Sequence, residues 1–315
     1  MSEKPVIYEI VPPKLGSSES EIERRIELLE RVLRDSRINA INIPELKEKR
    51  ETNGQASYVP TTIPPEEYAE LIGGSKEKIV NIVSPHLTQE EFTQRVCNLK
   101  NYGIKNLVVV GKARKSDLLH GPSVLEALDL VSAMNQGHAG EKTDILLGGI
   151  CIFHRNRKTD HEYEAGSIEL NEHERTAIKA RHGCRFVTSQ IIFDAKVPLE
   201  FLAKYAAHCE QGREKPVTIF ISLSTVKSLG ILSLLTDVLE VQMPDQIKKK
   251  LQREPDKMGK LSVEISTEIF ARIIEWIKSN RIDIPIGLHI EQVGTNSDDV
   301  SLELLDRTYA ILKTV

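Results

Sequence analysis

Eight apolar runs recur along the chain, and between them apolar residues repeat at helical spacing. The first run, 5–11, is almost wholly apolar and ends at Pro12-Pro13, which cannot continue a strand ladder. Further runs lie at 38–43, 79–83, 106–110, 145–152, 186–191, 217–221 and 284–290. Strands this uniformly apolar are covered on both faces. The intervening stretches read as amphipathic helices. Over 19–34 the apolar positions are Ile22, Ile26, Leu29 and Leu33, with charges elsewhere. Thr88 with Glu91, and Asn171 with Glu174, have the spacing of capping boxes that start helices. Pro65, Pro122 and Pro198 stand where helices open, and 226–280 is helical throughout. The stretch 45–63 is polar, contains Asn53-Gly54 and Pro60, and reads as a long loop.

Apolar strands alternating with helices predict an α/β protein with a parallel sheet. Eight such units in 315 residues match a closed (β/α)8 TIM barrel, which needs about 250 residues. An open doubly wound sheet is the alternative, but no GxGxxG follows the first strand. No Pro/Gly/Ser-rich linker divides the chain, so 1–315 reads as one domain.

Charge and composition narrow the function. A net charge of -4 lacks the basic surplus that nucleic-acid binding uses. No run approaches the roughly 18 apolar residues of a membrane span. The N-terminus has no apolar signal core, so the expected location is the cytoplasm. Cys97, Cys151, Cys184 and Cys209 are scattered without metal-ligand spacing, and no metal is expected.

In a barrel of this kind the chemistry sits where strands end and the following loops begin. Polar residues there are Glu9, Asn42, His86, the 112–115 loop with Lys112, His154 and Arg155, Ser189 and Gln190, Ser222, and Glu291 with Gln292. Glu9 lies inside an apolar run. An ionised carboxylate there is costly unless paired or neutralised, which fits either a functional acid or a structural ion pair. Gln190 can donate and accept at once, as a heterocycle edge requires, or bond a nearby backbone group. Lys112, Arg114, Lys115, Arg155, Arg157 and Lys158 would draw an anion to the mouth, or are solvated loop charges. There is no P-loop, no HExxH and no Ser/His/Asp order.

Several segments together resemble the methylenetetrahydrofolate reductase family. They are Tyr8-Glu9-Ile10-Val11-Pro12-Pro13-Lys14, Pro85-His86-Leu87-Thr88, Gly183 through Ser189-Gln190-Ile191-Ile192-Phe193-Asp194, Met243-Pro244, and Leu288-His289-Ile290. The first and third are the specific ones, and their order fits along essentially the whole chain. The resemblance implies a barrel that binds FAD and reduces 5,10-methylenetetrahydrofolate to 5-methyltetrahydrofolate. It makes Glu9 the general acid and places Gln190 on the pterin. Of the polar residues at strand ends, His86, Lys112, His154 and Glu291 are the further candidates for the folate site, and the basic mouth suits the glutamate tail of a folate.

Other family motifs are replaced. An Arg-Gly-Asp-like turn after the fourth strand becomes Val110-Gly111-Lys112-Ala113, so its acid is missing. A Thr-Tyr-Gly flavin contact becomes Ile43-Pro44-Glu45, and Tyr-Pro-x-x-His-Pro becomes Ile152-Phe153-His154-Arg155-Asn156-Arg157. The folate-side motifs survive better than the flavin-side ones. The readings that remain are a divergent reductase, a non-redox binder of reduced folate or accessory protein, and a folate-dependent methyl transferase. A homo-oligomer, or a redox or methyl-transfer partner protein, goes with each.

Overall fold

The apolar runs become the staves of one closed barrel in a computed structural model, which describes residues 4–52, 55–111, 121–139, 141–155, 170–294 and 298–314. In chain order the elements are β1 (Val6–Glu9), α1 (Glu19–Arg34), β2 (Ala40–Ile43), β3 (Lys47–Thr52), β4 (Gln55–Pro60), α2 (Pro65–Ile72), β5 (Glu77–Val83), α3 (Gln89–Asn98) and β6 (Asn106–Val110). There follow α4 (Val124–Gln136), β7 (Leu146–Cys151), α5 (Glu172–Arg181), β8 (Phe186–Ser189), α6 (Lys196–Gly212), β9 (Thr218–Ser224), α7 (Leu229–Ser233), α8 (Asp245–Arg253), α9 (Met258–Ser279), β10 (Ile286–Glu291) and α10 (Asp298–Leu312). The barrel runs β1-β10-β9-β8-β7-β6-β5-β2 and closes between β2 and β1, with every pairing parallel.

Alternation along each strand sorts its side chains to two cores. Outward residues such as Val6, Tyr8, Ile41, Val80, Leu107, Val187, Ile221 and Leu288 pack with the helices. Inward residues Ile7, Ala40, Ile79, Val108, Phe186 and Phe220 form a separate plug inside the barrel. Two glycines admit its largest members. A Cβ on Gly148 would stand 2.4 Å from the Phe186 ring, and one on Gly287 2.4 Å from Phe220. The two rings then meet edge to face, with centroids 5.8 Å apart. Everything above this plug, toward the carboxyl ends of the strands, is the mouth.

The expected capping boxes are present. Thr88 and Glu91 start α3, and Asn171 and Glu174 start α5. One element differs from its sequence reading. The stretch 45–63 is no simple loop but contains the antiparallel pair β3–β4, in register from Lys47↔Pro60 to Thr52↔Gln55. The first strand, Lys47–Thr52, is wholly polar and so lacks the apolar face that marks a strand in sequence, and the second ends in Pro60, which reads as a loop signal. The joining Asn53-Gly54 lies outside the described residues. No helix among the described residues is long and apolar enough to cross a membrane.

Candidate functional site

Extending the inward alternation two residues past the plug gives Glu9 on β1, Asn42 on β2, Asn81 on β5, Val110 on β6, Ile150 on β7, Thr188 on β8, Ser222 on β9, and His289 and Glu291 on β10. The mouth is therefore divided. A continuous polar wall covers β5, β2, β1, β10 and β9, and a largely apolar wall of Val110 and Ile150, continued by Thr188, covers β6 to β8. A flat heterocycle with one polar edge matches a mouth so divided.

Glu9 is the centre of the polar wall. The register Glu9↔Asn42 puts the Asn42 Nδ2 2.9 Å from Glu9 Oε2, which it supplies with a hydrogen bond. On the other side Ile7↔His289 and Tyr8↔Ile290 place Glu291 on the next rung beside Glu9. Burial first, and then the charge of Glu291, push the Glu9 carboxyl well above its ordinary value, with the Asn42 donor pulling the other way. Burial also pushes Glu291 up to about 7, opposed by the Ser222 hydroxyl. Two acids side by side on neighbouring strands cannot both ionise cheaply, which favours the acid form of Glu9.

His289 buttresses this pair. It is 2% exposed, and burial lowers it to about 3, so it is neutral. The Ser222 hydroxyl donates to the Ser189 carbonyl at 2.6 Å and stands 2.9 Å from His289 Nδ1. Having spent its proton, Ser222 Oγ accepts from Nδ1, which fixes the tautomer. Glu291 Oε1 lies 3.4 Å from the same nitrogen. His289 Nε2 is left as a buried acceptor, and it has no partner among the described residues. The same holds for Asn42 Oδ1 and Asn81 Oδ1. A buried acceptor without a partner costs about 1–3 kcal/mol, so three on one wall ask for a ligand that donates.

The other expected residues are distributed around the mouth. His86 follows β5 and stacks on Tyr58 of the hairpin, with ring centroids 3.7 Å apart and planes 8° from parallel. His154 and Gln190 line a cavity of about 330 Å³ with Phe153, Ile191, Phe193 and Met243. The Gln190 Nε2 donates to the Leu239 carbonyl at 2.8 Å, so its backbone-bonding alternative is realised. Two staves, β10 and β9, lie between the strand of Glu9 and the strand that Gln190 follows, and Glu9 does not line that cavity. Lys112, Arg114, Lys115, Arg157 and Lys158 lie outside the described residues. Arg155 turns to the buried Glu172, 3.3 Å away.

Sequence reasoning missed Asn81, His289 and Tyr58 as site residues. Asn81 carried the same signal as Glu9, a polar residue inside an apolar strand. Tyr58 could not be placed without the hairpin. A much larger groove of about 1240 Å³ opens at the opposite end of the barrel, past Gly73, Lys76, Lys78, Lys105 and Arg185. Its size does not make it the site. Lys76 donates to the Asp35 and Ile38 carbonyls, and Lys78 to that of Gly73, so these ammoniums tie the barrel floor together. Among the described residues no cluster of His, Cys, Asp and Glu could hold a metal.

A family model described as methylenetetrahydrofolate reductase matches residues 2–284, nearly the whole barrel. The chain belongs to the methylenetetrahydrofolate reductase family. Among solved structures it is similar to an uncharacterized protein from Clostridium thermocellum that binds two copies of 5-methyl-5,6,7,8-tetrahydrofolic acid. The TM-score is 0.74 at 23% identity, over 98% of this chain and 96% of that one. It is also similar to an EDTA monooxygenase from Chelativorans sp. BNC1, with a TM-score of 0.51 at 12% identity, over 99% and 94%. At these identities both likenesses speak for the barrel. No curated protein matches the chain by sequence.

Membership of the reductase family implies a flavin, and the residue in the altered flavin contact can be tested for fit. Glu45 accepts the Val83 N–H at 2.7 Å, bonds Arg95 at 2.5 Å and Lys47 at 3.2 Å. Arg95 is held in turn by Glu66 at 2.7 Å. The carboxyl is 5% exposed and wholly committed to joining the second and third barrel strands to α3. It is a structural ion network and does not fit the flavin contact that the family makes there.

Proposed function

We propose that the chain, as one barrel domain over 1–315 acting in the cytoplasm, binds a reduced folate of the 5-methyl- or 5,10-methylenetetrahydrofolate type in the mouth of the barrel. The observation that carries this reading is Glu9 set inside the mouth on a wall of buried acceptors, facing an apolar wall across a family barrel. The pterin edge meets the acceptors, and its ring lies toward Val110 and Ile150. The aminobenzoyl end extends toward the cavity of Gln190, His154 and Phe193, and the glutamate tail toward the basic loops with Lys112. Glu9 can hold or deliver a proton at a folate nitrogen, because burial and the neighbouring Glu291 favour its acid form. The likeness to a barrel that binds 5-methyl-5,6,7,8-tetrahydrofolic acid supports the ligand class.

The proposal assigns no hydride transfer to this chain. The closed Glu45–Arg95–Glu66 network supports a binder of reduced folate that works with a separate redox or methyl-transfer partner. Two readouts test this. 5-Methyltetrahydrofolate should raise the melting temperature of the purified protein in a saturable way, since a ligand that binds only the folded state stabilises it. The protein should show no flavin absorbance, before or after incubation with FAD. No thermal shift would overturn the folate assignment. A yellow protein that turns over 5,10-methylenetetrahydrofolate would replace the binder with a reductase.

A further inference from the structure

Glu291 follows directly on the Leu288-His289-Ile290 motif and is one of the expected folate-site residues, and it lies within the polar wall between Glu9 and Ser222. It shares a rung with Glu9, and its side chain is 19% exposed at the mouth. The groups around it are accounted for strand by strand. On β1 the neighbour is Glu9, and on β2 Asn42, whose amide donor is given to Glu9. On β5 the inward group is Asn81. On β9, Ser222 donates to Ser189, and Ser224 donates to the Glu291 carbonyl at 2.7 Å. On β10 itself His289 presents Nδ1 at 3.4 Å.

The helices outside these strands bring their charges elsewhere. Arg25 of α1 donates to the Gln292 side chain at 2.7 Å. Asp299 and Asp306 of α10 pair at the surface with Arg31 and Arg37. Among the described residues no lysine or arginine reaches the Glu291 carboxyl. Its companions are the Glu9 carboxyl, the Ser222 hydroxyl and His289 Nδ1, and the same wall carries two buried acceptors without a partner among the described residues, His289 Nε2 and Asn42 Oδ1, each residue 2% exposed. A carboxylate set among spare acceptors is a recognition surface for adjacent N–H donors.

We propose that Glu291 is the specificity-determining residue of the mouth, accepting two neighbouring N–H groups from the edge of the bound heterocycle, with His289 Nε2 and Asn42 Oδ1 as flanking acceptors. The ligand class is a ring with an amino group beside a ring N–H, as on a 2-amino-4-oxopyrimidine. This rests on the reduced-folate reading and deepens it by fixing which edge enters the barrel. The carboxylate form does the accepting, so affinity rises as pH passes through about 7.

The test compares wild type with Glu291→Gln by titration calorimetry, at about pH 6 and about pH 8, either side of the Glu291 titration. The probes are 5-methyltetrahydrofolate, its 2-desamino-2-methyl analogue, and tetrahydrobiopterin. Wild type should bind 5-methyltetrahydrofolate more tightly at the higher pH and discriminate against the analogue. Glu291→Gln should lose about ten- to a hundredfold in affinity, the worth of hydrogen bonds to a charged group. It should also lose the pH dependence and the discrimination. A variant that binds both folates as wild type does, or that keeps the preference, overturns the inference. Tetrahydrobiopterin carries the edge without the aminobenzoyl-glutamate tail and separates the two failures. If the folate does not bind but tetrahydrobiopterin does so in a Glu291-dependent way, the folate reading fails and the edge inference stands. If neither binds, both fail.

Discussion

Replacing Glu291 by Gln removes a buried acid while keeping its shape, and the effect on stability should depend on pH in a defined direction. Glu291 titrates at about 7 in the folded chain, against an ordinary 4.5. A carboxyl raised on folding contributes stability that is fully present below its unfolded value and is lost as pH rises through the folded one. Ionising Glu291 in place therefore destabilises the wild type above neutral pH, and Gln has nothing to ionise. The gap corresponds to about 3 kcal/mol at most, less for a partly exposed group sharing its proton with Glu9, so about 2 kcal/mol is a working figure. With an unfolding entropy of about 2 cal/mol/K per residue, a chain of this length gains about 1.5 °C per kcal/mol.

Circular-dichroism melts should then show Glu291→Gln melting about 3 °C above wild type near pH 8.5, and no higher near pH 5. A variant less stable than wild type at the higher pH, or shifted equally at both, would refute the buried-acid reasoning. The first result would mean that the Glu291 carboxylate is already stabilised by a cation. The second would mean that the substitution acts through packing.

Three further outcomes follow from the same geometry. Gly148→Ala sets a Cβ 2.4 Å from Phe186 inside the plug and should cost about 1–3 kcal/mol in urea unfolding; an unchanged midpoint would contradict the packing. Arg95→Met strands the buried carboxyls of Glu45 and Glu66 and should cost about 3–5 kcal/mol, most of it recovered when both acids are also made Gln. Tyr58→Ala removes the ring stacked on His86, a contact worth about 0.5–1.5 kcal/mol, and should weaken binding of 5-methyltetrahydrofolate if the hairpin walls the mouth; an unchanged affinity would take the hairpin out of the site.

The barrel was legible because its signal is redundant. Each apolar run needs cover on both faces, and eight of them separated by helices leave few architectures. Glu9 was legible for a related reason, since a carboxylate inside such a run has to be explained. The hairpin was not legible, because its first strand, Lys47–Thr52, has no apolar residue and its pairing with Gln55–Pro60 is a backbone ladder that no hydrophobic period announces. The meeting of Glu9 with Glu291 was hidden as well. It depends on the β1–β10 register, a contact between residues 282 positions apart that no local pattern encodes. Gln190 shows the converse. Its sequence context placed it at the end of the right strand, but the Leu239 carbonyl that it bonds comes from a distant segment after α7. His289 was read as part of a strand motif, and only Ser222 on the neighbouring stave reveals that its second nitrogen is free to accept.

The central claim is that a reduced folate sits against the acid on the first strand. Titration calorimetry of 5-methyltetrahydrofolate into wild type, Glu9→Gln and Gln190→Ala measures it directly. Saturable one-to-one binding to wild type, weakened about tenfold or more by Glu9→Gln and less by Gln190→Ala, is the expected result. Absence of binding to wild type, or equal affinity in all three proteins, would contradict it.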